Sequence, residues 1–407
     1  MFDIDQIRKD FKMYDNHPDL VYLDNAATTF KPNQVIKTVV NYYEKYSVNI
    51  HRGDYDISQE ISNKFDDVRS IVKDFINANN SNEIVFTSGA SESLNLVAYG
   101  YGKKFLKEND IVLTTEAEHS SNILPWFKVC DEVKAKVKYI PLNSDGSFSL
   151  DNLKKVMNEN VKVVTLANVT NVLGYILPIK EITAIAHKYN AIVVCDGAQS
   201  VPHIKTDVQD MDVDFLAFSS HKLLGPTGAG VLYGKEYLLD NMDTYMLGGG
   251  SNLRYDTCGN ILLKKPPLKF EAGTPAIEAI LGMGEAIKYI QNIGIENINI
   301  YEKKLHEYMI SKLKSLDNII IYNENADTGI VSFNVKDIFA QDVGAYLNKY
   351  NIAVRSGNHC AKILMEVLKI QYTIRASLYF YNTYHDIDCF IEALSKITIE
   401  ECIDIVV

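Results

Sequence analysis

Apolar residues along the chain fall into short runs bounded by small or polar residues, and these runs alternate with stretches of helical period. Ile4, Ile7, Phe11 and Tyr14 share one helical face, which predicts an amphipathic N-terminal helix docked on the body. Residues 83–87, 111–115, 161–166, 191–195 and 214–218 are short and rich in β-branched or aromatic side chains, as buried strands are. Residues 228–233, glycines followed by Val231, Leu232 and Tyr233, read as a returning strand. Helical patterns follow at 94–98, 181–189 and 277–290, the last ending at Gly294. Strands alternating with helices predict an α/β fold with a mostly parallel sheet.

Length changes that picture by adding a second body. At 407 residues the chain exceeds the roughly 250–300 at which a single core stops growing, so two domains are expected. Charged residues at 23% and apolar ones at 47% are those of a soluble globular protein. A net charge of -11 without a basic stretch argues against nucleic acid and anionic membranes as partners. Six cysteines without C-x-x-C pairing or zinc-ligand spacing imply free thiols in a reducing compartment and no metal. No apolar run approaches the ~18 residues of a membrane span, and the first residues carry alternating charges, so the expected location is cytoplasmic.

Candidate chemistry gathers at strand ends. Lys222 follows the apolar segment 214–218 and precedes a Gly225-Pro226 turn. Held between two buried strands, a lysine is partly desolvated, and its neutral amine can attack a carbonyl in Schiff-base chemistry. Asp196 closes the run 191–195, at the carboxyl end where open α/β sheets bind ligands. A carboxylate there can keep a heterocycle nitrogen protonated, which is what pyridoxal 5'-phosphate requires to act as an electron sink. Strand 83–87 leads through Ser88-Gly89-Ala90-Ser91 into a helix start, where free N–H groups suit a phosphate; neither P-loop nor dinucleotide-binding spacing is present. Taken singly, each residue has an ordinary reading: a surface lysine, a loop histidine, a packed cysteine, or arginines in surface ion pairs worth under about 1 kcal/mol. Their joint occurrence singles them out.

In combination, Asp196-x-x-Gln199, Ser219-x-His221-Lys222 and Arg355-Ser356-Gly357-Asn358-His359-Cys360 resemble the class V branch of fold-type I pyridoxal phosphate enzymes, and within it the group II (Suf-type) cysteine desulfurases. The resemblance runs from Tyr22-Leu23-Asp24-Asn25-Ala26-Ala27-Thr28-Thr29 to Arg375-Ala376-Ser377-Leu378, and departs from the group's Arg-x-Gly-His-His-Cys segment where Asn358 replaces the first histidine. It implies an aspartate aminotransferase-like fold: a large cofactor domain over residues 16–288 with a mostly parallel seven-stranded sheet, and a smaller α+β domain from residues 1–15 and 289–407 that carries the cysteine.

The same resemblance assigns roles. Lys222, Cys360 and His119 are expected to be catalytic, with His119 against the pyridine ring. Lys222, His119, Asp196, Gln199, Ser219, His221, Gly89, Ala90, Ser91 and Asn171 would hold the cofactor, and Thr274 would reach the neighbouring subunit's cofactor phosphate in a homodimer. Arg375, Asn171, Arg355, Asn25, Ala26 and His51 would surround the substrate. The implied reaction converts L-cysteine to L-alanine and leaves a persulfide on Cys360 for a SufU- or SufE-like acceptor, supplying iron–sulfur cluster assembly or another sulfur-transfer pathway. The alternatives are a selenocysteine lyase and, more distantly, a cofactor-free sulfur-carrier scaffold.

Overall fold

A computed structural model describes residues 3–406. Its centre is a seven-stranded sheet of β1 (Ile84–Thr87), β2 (Ile111–Thr115), β3 (Lys136–Ile140), β4 (Val161–Ala167), β5 (Ile192–Asp196), β6 (Phe215–Ser219) and β7 (Gly230–Gly234), in the spatial order β1-β7-β6-β5-β4-β2-β3. Only β7 runs against the others. All five residues of β2, β5, β6 and β7 are buried, which is why these runs are apolar throughout rather than alternating. Beyond β7, a hairpin of β8 (Asn252–Tyr255) and β9 (Ile261–Leu263) stands out from the body with mostly exposed side chains.

A second, antiparallel sheet is built from β10 (Ile319–Ile321), β11 (Ile330–Val335), β12 (Arg355–Gly357) and β13 (Thr373–Ser377), in the order β10-β11-β13-β12. The helix Ile277–Ile293 leads toward it, passes through position 288 and stops at Gly294, whose φ of 89° favours glycine. Asp24 bridges to Ser377, and Leu23 exchanges backbone hydrogen bonds with Ala353 and Ser377. The N-terminal segment is thereby stitched to the end of β13 in the small sheet.

The single N-terminal helix expected from the sequence is two short ones, α1 (Ile4–Arg8) and α2 (Lys12–Asn16). The helix breaks because Phe11, extended at φ -108°, inserts its fully buried ring between Tyr289, Phe380 and Tyr381, while Asp10 accepts from the Tyr289 hydroxyl at 2.8 Å. Burial of a phenylalanine is worth about 1.5–3 kcal/mol, more than the hydrogen bonds of one frayed turn contribute.

Candidate functional site

At the carboxyl ends of β4, β5 and β6 lies a cavity of about 240 Å³. Its floor includes Asp196, the last residue of β5, only 5% exposed. One carboxylate oxygen accepts from the Ala198 N–H at 2.9 Å. Burial pushes its pKa upward, with the Ala198 N–H and the charge of Lys222 opposing. A buried carboxylate with a single backbone donor is an incomplete arrangement that a protonated ring nitrogen would complete.

Lys222 lines the same cavity, one short helical turn beyond β6. Burial lowers its amine to about pKa 8; Asp196 pulls the other way, while Arg375 and Arg355 add to the depression. The backbone before it is anchored to the segment after Asp24. The His221 carbonyl accepts from the Thr29 N–H, the Thr28 and Thr29 hydroxyls and the Lys31 ammonium, at 3.1–3.2 Å. Burial, with Lys222 and Lys31 adding, lowers the His221 imidazole to about pKa 4.

His119, on the turn after β2, is brought to about pKa 4 by burial and by the charges of Lys222, Arg355 and Arg375. The Ser121 N–H donates to its Nδ1 at 3.2 Å, which leaves the proton of the neutral ring on Nε2. The imidazole therefore presents a hydrogen-bond donor rather than a charge. Behind it, Glu118 accepts from the Thr115 hydroxyl, the Asn122 amide and the Ala167 N–H, and burial raises its carboxyl to about pKa 7.

On the β1 side, the Ala90 N–H donates to the Ser219 hydroxyl at 2.8 Å, and the Ser91 and Ser121 hydroxyls meet at 2.7 Å. Together with His221 these form a hydroxyl-rich end of the cavity. Gly89 lies just behind, with no side chain to contribute. Gln199 donates from Nε2 to the Ala26 carbonyl at 2.8 Å, and Ala26 itself lines the cavity.

The small sheet supplies the opposite wall. Arg355 and Arg375 stand directly across from each other in the β12–β13 register, so two guanidinium groups share one face. Arg375, 1% exposed, donates to the Asn171 carbonyl at 2.8 Å and to Asp24 at 3.2 Å. Burial lowers it to about pKa 10, with Asp24 opposing and Arg355 adding. Arg355 reaches the exposed Cys360 sulfur at 3.8 Å. Like charges directly opposite are destabilising; Asp24 offsets part of this pair, and the donors that remain suit the carboxylate of a substrate.

Four buried polar atoms with no hydrogen-bond partner belong to residues lining this one cavity: Gln199 Oε1, Asn171 Oδ1, His359 Nδ1 and Arg375 Nε. Buried polar atoms without a partner call for one, and a polar ligand in this cavity could supply it. An amine for an aldehyde, a carboxylate for a ring nitrogen, hydroxyls for a phosphate and an imidazole beside them are the functional groups pyridoxal 5'-phosphate requires, so the residues fit it.

Cys360 and Gly89 adjoin the cavity without lining it, and three expected site residues lie elsewhere. Asn25 is saturated by the protein: it donates to the Ser377 carbonyl at 2.7 Å and to Asn382 at 3.0 Å, and accepts from the Tyr381 hydroxyl. It anchors Ala26 rather than lining the cavity. His51 faces Asp66 at 3.5 Å in a second, outer cavity of about 560 Å³ that also takes in Arg52 and Glu271. Thr274 is held by Asn49 at 3.1 Å beside that outer cavity. Conversely, Asp24, Glu118, Ser120 and His359 emerge only in the structure. Asp24 and His359 stand inside the motifs and Glu118 and Ser120 flank His119, but the motifs assign none of them a role, since their roles rest on partners remote in sequence; Asp24 and Arg375 are 351 positions apart.

The aminotransferase class-V family model matches residues 21–390. A probable cysteine desulfurase of Halalkalibacterium halodurans is 41% identical over 394 residues, covering 96% of this chain and 97% of the relative. The apo structure of cysteine desulfurase from Thermococcus onnurineus superposes with a TM-score of 0.93 at 37% identity, covering 97% of this chain and 98% of that one. The cysteine desulfurase CsdA of Escherichia coli gives a TM-score of 0.92 at 31% identity, with 99% of both chains covered.

Proposed function

The chain belongs to the aminotransferase class-V family and is a pyridoxal 5'-phosphate-dependent cysteine desulfurase, in which we propose that Lys222 and Cys360 divide the chemistry. The observation that carries this assignment is one cavity with a desolvated lysine amine and a buried carboxylate at its floor, and an arginine-paired thiol beside its arginine wall.

When bound, the cofactor supplies an aldehyde for Lys222 and a ring that withdraws electrons from the substrate α-carbon. Asp196 would hold the ring nitrogen, Gln199 and Asn171 the ring's oxygen side, and Ser91, Ser219, His221 and the Gly89-Ala90 backbone the phosphate. Arg375 takes the carboxylate of L-cysteine, to which its unpartnered Nε is suited. Lys222, with a neutral fraction available near pH 8, removes and returns the α-proton. Neutral His119 donates from Nε2 beside the reacting carbons. The Cys360 sulfur attacks the substrate sulfur; an S–S bond forms as the C–S bond breaks, the bonding pair stays with carbon, and carbon takes up a proton. L-cysteine and a thiol thus become L-alanine and a persulfide.

The same proposal includes a homodimer, a large domain giving way to a small one near the end of the helix Ile277–Ile293, a cytoplasmic location, and a small Suf-type acceptor that feeds iron–sulfur cluster assembly. Support for the dimer comes from the hairpin β8–β9, where Leu253 is 65% and Tyr255 75% exposed. It comes also from Thr274 and His51, which lie at the outer cavity. Six free cysteines suit a reducing compartment, and among the described residues no helix is long and apolar enough to cross a membrane.

Alanine formation from L-cysteine by purified, yellow protein tests the assignment. The unmodified enzyme should form alanine, faster with a reductant that clears the persulfide. Cys360→Ala should keep its colour and lose the activity, and Lys222→Ala should lose about 10²–10⁴-fold or more. Equal alanine from the unmodified enzyme and Cys360→Ala would overturn the persulfide step.

A further inference from the structure

The thiol sits on a backbone that an L side chain adopts reluctantly. His359 and Cys360 have φ of 52° and 57°, two consecutive left-handed residues. Such a conformation persists only where its surroundings over-determine it, and here both polar backbone groups of Cys360 and the carbonyls of Asn358 and His359 are tied. The Asn358 side-chain oxygen accepts from the Cys360 N–H at 3.1 Å, and its carbonyl accepts from the Ala361 N–H at 2.8 Å. On the other side of the same residue, the Cys360 carbonyl receives two bonds from Ser120: from its N–H at 2.8 Å and from its hydroxyl at 3.0 Å. The His359 carbonyl is held by the Asn171 amide at 2.8 Å, and the His359 ring by the Thr373 carbonyl at 3.0 Å.

From this geometry we infer that Asn358 and Ser120 are positioning residues for the Cys360 sulfur, acting together as a clamp on either side of its peptide. Ser120 follows His119 directly and precedes Ser121, which fixes the His119 tautomer. The clamp therefore ties the imidazole on the large sheet's loop to the thiol on the small sheet's loop. Asn358 stands where a β-turn needs a short side-chain acceptor two residues before the amide it caps, a role asparagine fills well and serine more weakly. Attack of sulfur on sulfur needs a fixed approach, and displacement of about 1 Å can cost up to ~10²-fold.

The inference rests on the desulfurase reading for its kinetic part but not for its structural part. In the holoenzyme, Asn358→Ala should lower kcat for L-cysteine by about fivefold, the value of one hydrogen bond from a side chain to the backbone, with KM and visible absorbance unchanged. Amide hydrogen exchange at Cys360 should speed up by a similar factor. Asn358→Ser should recover part of both effects. Ser120→Ala, which keeps its N–H bond, should show a smaller loss, and the double variant a loss larger than either. Exchange at Cys360 identical to that of the unmodified enzyme, or a fall in kcat accompanied by loss of cofactor or of thermal stability, would overturn the clamp. Failure of the desulfurase reading would show instead as unimpaired alanine formation by Cys360→Ala, with the exchange result unaffected.

Discussion

Lys222 shows how one residue's chemistry is set by surroundings that the local sequence does not contain. Burial, assisted by Arg375 and Arg355, brings its amine from the ordinary 10.5 to about 8. The neutral form is the nucleophile, so uptake of pyridoxal 5'-phosphate by cofactor-free protein should rise about tenfold per pH unit below 8, as an ionising amine does, and level off above it. Stopped-flow absorbance between pH 6 and 10 would read this directly; a rise continuing toward 10.5 would mean the amine is not desolvated. Lys222 and Asp196 were legible because each closes or follows a recognisable apolar run, and Cys360 through the motif resemblance. The pairing of Asp24 with Arg375 was not, nor was the neutrality of His119, because both arise from groups brought together across the chain. Asn25 illustrates the reverse: its place in a motif suggested contact with substrate, yet its amide is spent on Ser377, Asn382 and Tyr381.

Among elements, the junction of β1, β7 and the helix Ala90–Val97 is tightly constrained. Gly230 pairs with Thr87 on one side and Ser219 on the other. A Cβ there would lie 2.4 Å from the Gly89 Cα and 2.8 Å from its N and C atoms. Backbone rather than a flexible side chain fills that space, so the absent side chain at 230 is what allows the Gly89-Ala90 turn to reach Ser219. Gly230→Ala should displace this turn, cost about 1–3 kcal/mol of stability by overpacking, and weaken cofactor binding in an absorbance titration; unchanged affinity would show that the turn does not serve the phosphate. The strand was readable from its apolar run, and the two glycines from their place at a turn. The contact between their backbones was not, since sequence pattern says nothing of which turn crosses which strand. The N-terminal helix divided in two for a like reason: its period was helical, but Phe11 found an aromatic socket from residues 289, 380 and 381.

At the scale of the molecule, the proposed homodimer would draw on the exposed hairpin and the outer cavity. Leu253, Tyr255, Ile261 and Leu262 form an apolar projection of a kind that soluble monomers seldom leave open, and a self-complementary twofold contact would cover it. If the proposed homodimer forms through this hairpin, Leu253→Asp combined with Leu262→Asp shifts the sedimenting species from dimer to monomer and reduces desulfuration. A dimer that survives both substitutions would place the interface elsewhere.

The sequence by itself determined the class of fold, because strand runs and helical periods report burial locally, and it determined the reactive groups, because a lysine and a carboxylate at strand ends, and a cysteine in a motif shared with a known family, keep their chemical character wherever they are placed. Only the tertiary structure decided how those groups behave. The desolvation that lowers Lys222 and neutralises His119, the opposition of Arg355 and Arg375, the close approach of Gly230 to Gly89 and the clamp on Cys360 all depend on distances between residues far apart in the chain. Electrostatic and steric energies follow those distances, and no local pattern encodes them.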